Sequence, residues 1–213
     1  MFGVSYAVLK TLVKRIGVDH ELARALWGTG NFDARNLAIK VADPSSMSPT
    51  DLGRWARECR MPLLIGYVAQ LASEGPHASA LAGKWSASSN AAESCAAWML
   101  IGQMALRDES TPDAWFEKRI SEIERKIHSA PNAQREAMNQ TLIAIGCRSP
   151  GLRKTATAAA RRIGKVDVDH GDTACKTPDA VSYIEKTWAH SLSKGFTSPA
   201  VHERSREPMR LRC

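Results

Sequence analysis

The stretch Ser5 to Pro44, S-Y-A-V-L-K-T-L-V-K-R-I-G-V-D-H-E-L-A-R-A-L-W-G-T-G-N-F-D-A-R-N-L-A-I-K-V-A-D-P, reads as three helices in succession. From Ser5 to Ile16, apolar residues at Val8, Leu9, Leu12, Val13 and Ile16 recur at i, i+3, i+4 spacing and make one helical stripe. Asp19 can cap a second helix, Glu21 to Trp27, which Gly28 and Gly30 stop. Asn31 caps a third, Phe32 to Ala42, and Asp43-Pro44 ends it, because a proline drives the residue before it out of the helical region.

The same style continues outward. Ser48-Pro49 starts a helix to about Cys59, and Leu63 to Ala72 forms a shorter one that closes before Gly75-Pro76. Asn90 opens a run to Leu106, Thr111-Pro112 one to about His128, and Asn132 one to Cys147. Ser149-Pro150 starts a helix to about Gly164, and Thr177-Pro178 starts Asp179 to Leu192. Only Val166 to Asp169 alternates as a strand would, and it is too short to count. Composition agrees: 31 Ala stand against 21 Val plus Ile, and aromatics make up 6% of the 213 residues. Such usage favours helices over a sandwich or barrel. Helix pairs at intervals of roughly 40 residues predict an all-α fold, an α-solenoid of the HEAT-like or armadillo-like kind, with a non-repeating helical bundle as the alternative. The six tryptophans, Trp27, Trp55, Trp85, Trp98, Trp115 and Trp188, fall about one per helix, as core anchors would. One domain is expected over 1–195. The tail Glu203 to Cys213 has no apolar periodicity, and residues 196–213 are expected to be basic and disordered.

No run approaches the roughly 18 apolar residues of a membrane span, and M-F-G-V-S-Y-A-V-L-K lacks the order of a signal peptide. The cytoplasm is therefore the expected compartment. Five widely spaced cysteines without C-x-x-C exclude a disulfide framework or zinc ribbon, and Cys95 and Cys147 lie in apolar runs as reduced core thiols. H-E-x-x-H, G-x-S-x-G and a Gly-rich phosphate loop are all missing, which disfavours zincins, α/β-hydrolases and P-loop NTPases.

The net charge of +7 is unevenly spread: residues 148–213 hold 13 basic against 7 acidic groups. Arg148 to Lys165 contains Arg148, Arg153, Lys154, Arg161, Arg162 and Lys165 with no acidic residue. A second cluster, Arg54, Arg57 and Arg60, runs at i, i+3, i+6 on or near one side of a helix. Basic faces on a helical stack suit a phosphate backbone, since each contact releases condensed counterions; ordinary surface charge is the competing reading. One loop, Gly164 to Ala180, gathers Asp167, Asp169, His170, Asp172 and Cys175. These could bind a metal or supply an acid/base pair from Asp169 and His170. The His-x4-Cys spacing matches no standard zinc pattern, so a turn-forming loop is the better reading and no metal is expected.

The opening, with G-V-S before the first helix, then D-H-E-L-A-R-A-L-W-G-T-G and D-A-R, resembles the DNA alkylation repair family of HEAT-like proteins. A-M-N-Q-T-L-I-A-I-G-C-R-S-P and R-I-G-K-V-D-V-D-H-G-D-T-A-C-K-T-P-D-A look like segments of a bacterial branch of it, so the resemblance covers Phe2 to His190. It implies an α-solenoid whose concave face grips duplex DNA. In active relatives a monofunctional glycosylase reaction excises N3- or N7-alkylated purines, using aromatic faces, a carboxylate and an Arg. It also implies a helix ahead of Gly3-Val4-Ser5 that this chain would lack. The Trp and Asp of active relatives should fall near Arg60 to Gln70, where this chain reads R-M-P-L-L-I-G-Y-V-A-Q, with neither. The family's Arg appears as Cys95 and its later Trp as Gln140.

The expectation is a monomer that binds double-stranded DNA without a cofactor, through Arg35, Arg54, Arg57 and Arg60 in the first half and Arg148, Arg153, Lys154, Arg161 and Arg162 in the second. No catalytic residue is assigned. An active alkylpurine glycosylase and a helical protein-binding scaffold are the alternatives.

Overall fold

A computed structural model describes residues 3–212. Met1, Phe2 and Cys213, on which the readings of the chain's start and of its fifth thiol rest, lie outside the described residues. Among the described residues there are twelve α-helices and no strand: α1 Tyr6–Ile16, α2 His20–Gly28, α3 Phe32–Val41, α4 Pro49–Glu58, α5 Pro62–Glu74, α6 Ala78–Ser86, α7 Ala91–Arg107, α8 Asp113–Lys126, α9 Asn132–Gly146, α10 Pro150–Ile163, α11 Ala180–Ser193 and α12 Pro199–Arg204. Two short 3-10 turns, Ile127–Ser129 and Met209–Leu211, complete the set. No helix is long and apolar enough to cross a membrane among the described residues.

Most starts follow the capping logic of the sequence. Ser5, Asp19, Asn31, Ser48, Ser149 and Asp179 each accept a first-turn amide through the side chain. Asn132 does not cap. It is the first residue of α9, and its side-chain amide exchanges two hydrogen bonds with the backbone of Asp169, at 2.6 and 2.8 Å. Helix α6 carried no clear start signal and was not anticipated; it buries Leu81, Ala82 and Trp85.

The described residues group into two compact units, 3–100 with 207–212 and 101–206. In the first, α3 packs on α1, α2 and α5, and α5 packs on α4 and α6. Trp27, Trp55 and Trp85 are all but inaccessible there, each removing about 200 Å² of largely apolar surface from water, about 5 kcal/mol of gross driving force apiece. In the second unit α8, α9 and α10 pack on one another, and α11 lies against α9 and α10. Its core holds Phe116, Ile120, Ile123, Ile145 and Ile184. Trp188 is buried with its indole N–H donating to the Gly146 carbonyl at 2.8 Å. Of the six tryptophans only Trp115 stands partly out of the core, edge-on to Phe116 with the Arg119 guanidinium over its ring.

The expectation of a disordered tail is corrected. Ser198 caps α12 and Pro199 occupies its first turn, while the Ala200 amide donates to the Cys147 carbonyl at 3.1 Å. Beyond it, Arg210 is buried, donating to the carbonyls of Ile39 and Lys40 at 2.8 and 2.9 Å and to Glu74 Oε1 at 2.9 Å. Lys40 Nζ in turn donates to the Arg210 carbonyl. The segment is anchored by charge and hydrogen bonds at the C-terminal end of α3, so a search for apolar periodicity passes over it.

Candidate nucleic-acid interface

Helix α4 presents Arg54 and Arg57 one turn apart, but it ends at Glu58, so Arg60 stands on the short link to α5 rather than on the helix. Arg54 is exposed and bonds Asp51 one turn back at 2.8 Å. Arg57 pairs with Glu93, whose other oxygen accepts from Ser88 Oγ, yet about half of the arginine side chain stays in solvent. Close approach makes this pair: a Cβ on Gly53 would come within 3.3 Å of both Arg57 Nη1 and Glu93 Oε1.

Arg35 comes from α3 and is largely covered. Its guanidinium lies 4.8 Å from the Trp27 ring centroid and donates to the Trp27 carbonyl, the Glu58 carbonyl and Glu58 Oε2. The same Glu58 oxygen accepts from Trp27 Nε1 at 2.6 Å. Arg35, Arg57 and Arg60, with Gly30, Phe32, Glu58, Met61 and Leu64, line a cleft of about 620 Å³. Two of the three guanidinium groups are thus paired, Arg35 with Glu58, which also accepts from Trp27, and Arg57 with Glu93. Arg60 is exposed with no acidic partner among the described residues.

The second basic run does not form one face. Arg148 is almost wholly buried and reaches Asp113 at 3.0 Å, the carbonyls of Met104, Ala105, Asp108 and Thr111, and the face of Phe116. It closes the C-terminal end of α7 and is not available to a phosphate, which corrects its placement among the DNA contacts. Arg153 is half-buried over the Trp188 ring, 4.9 Å from the centroid. Lys154 is exposed. Arg161 faces α11, 3.9 Å from Glu185, whereas Arg162 forms a two-pronged pair with Glu124 of α8, which lowers the carboxyl pKa. Adjacent in sequence, the two arginines point to opposite neighbours.

The loop from Gly164 to Asp179 is held as a structural element. Arg135 donates to the Asp167 carbonyl, Asn139 to the Pro178 carbonyl at 3.0 Å, and His170 Nε2 meets Thr177 Oγ1 at 2.9 Å. Asp169 spends its carboxylate on the Gly171 amide, so Asp169 and His170 make no acid/base pair. No group of three or more His, Cys, Asp or Glu among the described residues is placed to hold a metal ion. A second cleft of about 730 Å³ lies along this loop, with Arg161, Lys165, Lys176 and Cys175 in its walls.

Of the positions matched to active relatives, Cys95 is 1% exposed, and burial pushes its thiol up to about 11; it cannot touch a ligand. Gln140 is exposed and bonds Glu136 at 2.9 Å. Sequence reasoning missed Glu58, Phe32 and Met61 as cleft residues. A helix start that exposes an M-P-L triplet beside an arginine was the available signal.

Comparison with known proteins fits this architecture. The family model described as DNA alkylation repair enzyme matches residues 1–184. An uncharacterized protein of Listeria innocua is 29% identical over 191 residues, covering 87% of this chain and 83% of the relative. One of Listeria monocytogenes has the same identity and coverage. A solved structure described as "a new family of proteins related to the HEAT-like repeat DNA glycosylases with affinity for branched DNA structures" is 29% identical, with a TM-score of 0.79, covering 91% of this chain and 82% of that one. The all-helical architecture is thus a HEAT-like repeat fold. With the match running from α1 into α11, the chain belongs to the DNA alkylation repair enzyme family.

Proposed function

We propose that this protein binds DNA through its phosphate backbone, without reading sequence, and that branched duplexes are its preferred form. The observation that carries the reading is the cleft of the first unit, where Arg60 stands exposed without an acidic partner among the described residues, beside the half-exposed Arg57 and the covered Arg35. Arg60 and the exposed half of Arg57 are the phosphate contacts, with Arg54 beside them; Arg35 shapes the wall. Lys154 and Arg161 add contacts in the second unit. The family assignment supports a role on DNA, and the affinity of the solved relative for branched DNA supports the preference.

Base excision is not part of the proposal. A developing sugar cation needs a carboxylate free to stabilise it. Glu58 is the carboxylate of this cleft, and its Oε2 already accepts from Trp27 Nε1 and is paired with Arg35. Fluorescence anisotropy on a four-way junction, a matched linear duplex and an N7-methylguanine duplex, titrated across salt, tests the reading. Five phosphate contacts, from Arg54, Arg57, Arg60, Lys154 and Arg161, give a log–log salt slope of about −4.5. Tight junction binding with that slope and no released base is the expected outcome. Absence of binding at low salt, or release of the alkylated base, overturns it.

A further inference from the structure

We infer that Met61 and Leu63, at the start of α5, form an apolar wedge that stacks on the base-pair face left open at a branch point in DNA. The inference rests on the DNA-binding reading above and names what that surface recognises.

Among the described residues, exposed large apolar side chains fall close together at Tyr6 and Val8 and at Met61 and Leu63, the latter at 48% and 43% exposure, and of the four only Met61 lines the arginine cleft. Pro62, between Met61 and Leu63, is exposed as well. The fold does not need them there. Leu64 and Ile65, the next two residues, are the ones that enter the core, at 3% and 7% exposure. The helical register that seats those two turns Leu63 outward, and Met61 precedes the helix as its N-cap residue without supplying a capping side chain.

The tip is also stiff. Pro62 at the first helical position fixes φ, and Met61 is held extended at φ −118°, ψ 135°. A preorganised backbone loses little conformational entropy on binding, and the remaining cost is the ordering of the Met61 and Leu63 rotamers.

Its surroundings choose the occupant. Met61 lines the cleft with Arg35, Arg57 and Arg60, so the Met61 end of the apolar tip borders guanidinium groups, with Leu63 two residues on. A second copy of this chain docking on the same patch would bring its own arginines against them, and like charges oppose such a self-complementary contact. A nucleic acid offers the complementary pair: phosphates for the arginines, and a flat apolar base for the Met–Leu tip. Driving such a wedge into continuous duplex means unstacking a base step, which opposes binding. Where strands exchange at a branch point, stacking does not run continuously through every arm, so that cost is lower than in linear duplex. The wedge therefore discriminates DNA shape with no base-specific hydrogen bond.

The test is the doubly substituted protein, Met61→Ser with Leu63→Ser. Both side chains are exposed, and an unchanged circular dichroism spectrum and Tm establish that it folds. Arg60→Ala and the conservative Met61→Leu serve as controls. Binding is measured by anisotropy on a four-way junction and on a linear duplex at one salt concentration. A 2-aminopurine at the branch point reports stacking directly. Wild type should prefer the junction by about tenfold or more, the scale expected for covering this much apolar surface. The double variant should lose that preference and the 2-aminopurine response while keeping duplex affinity and salt slope. Met61→Leu should retain both, and Arg60→Ala should weaken both DNAs together. A double variant that keeps the junction preference, or that loses both DNAs equally, overturns the wedge and leaves the DNA-binding reading standing. A wild type that binds neither DNA overturns both.

Discussion

The rings of Trp27 and Trp55 lie face to face, with 4.1 Å between centroids and 2° between planes. One edge of the pair is tied down where Trp27 Nε1 donates to Glu58. The stack joins α2 to α4, and the Glu58 it orients holds Arg35 in the cleft wall. The Glu58 and Arg35 part of the cleft wall is thus braced from behind by a buried aromatic pair.

Trp27→Phe keeps much of the ring and removes the donor. Loss of a hydrogen bond to a charged acceptor should cost about 1.5–3 kcal/mol, read as a lower Tm. The same substitution in a Glu58→Gln background should cost less, because the charged partner is already gone. Equal costs in the two backgrounds would break the assigned link.

Arg148 and Arg60 should separate stability from binding. Arg148→Ala leaves Asp113 and four carbonyls short of a donor, and should destabilise the fold by about 3–5 kcal/mol while leaving DNA affinity below the melting point unchanged. Arg60→Ala should leave Tm unchanged and flatten the salt slope by about 1. Thermal melts and anisotropy titrations on the same two proteins decide both halves.

At Gly146 the second unit is packed to contact. An added Cβ would lie 2.6 Å from Ile184 Cδ1 and 3.1 Å from Ala156 Cβ. Gly146→Ala should therefore destabilise by about 1–3 kcal/mol through overpacking. Adding Ile184→Val, which removes the clashing methyl, should recover much of that loss in a denaturation midpoint.

The buried thiols set an alkaline limit. Burial pushes Cys59 and Cys147 up to about 12 and Cys95 up to about 11, against 9.0 for a free thiol. Below pH 9.0 both folded and unfolded chains keep these protons, and the stabilising difference is fully present. As pH rises from there toward 12 the unfolded chain ionises first, so stability should fall progressively over that window. Cys59→Ala should make the decline shallower in melts taken from pH 8 to 11. With a thiol reagent at neutral pH, Cys175 should react in the native protein, while Cys59, Cys95 and Cys147 should react only on unfolding.

Much of the helical plan was readable because its signals are local. Ser5, Asp19, Asn31, Ser48 and Ser149 declare helix starts within four residues of sequence, and the apolar spacing does the rest. The role of each arginine was not, because it depends on distant partners. Arg148 reads like its neighbours Arg153 and Lys154, yet Asp113 and the carbonyls at the end of α7 consume it. Arg161 and Arg162 differ only by the roughly 100° that one helical residue turns, and that sends them to different helices. The α3 terminus and Arg210 are 170 positions apart, beyond any local pattern.

That last contact bears on how the chain is made. Ribosomal synthesis is vectorial, and α1 to α6 emerge long before Arg210 exists. Until then, the carbonyls of Ile39 and Lys40 and the carboxylate of Glu74 have no guanidinium to meet, and Lys40 lacks the carbonyl that receives its charge. The first unit to leave the ribosome is therefore among the last to be completed. A nascent chain stalled before position 207 should hold that unit in an open, protease-sensitive form, closed only by the segment translated after the whole second unit.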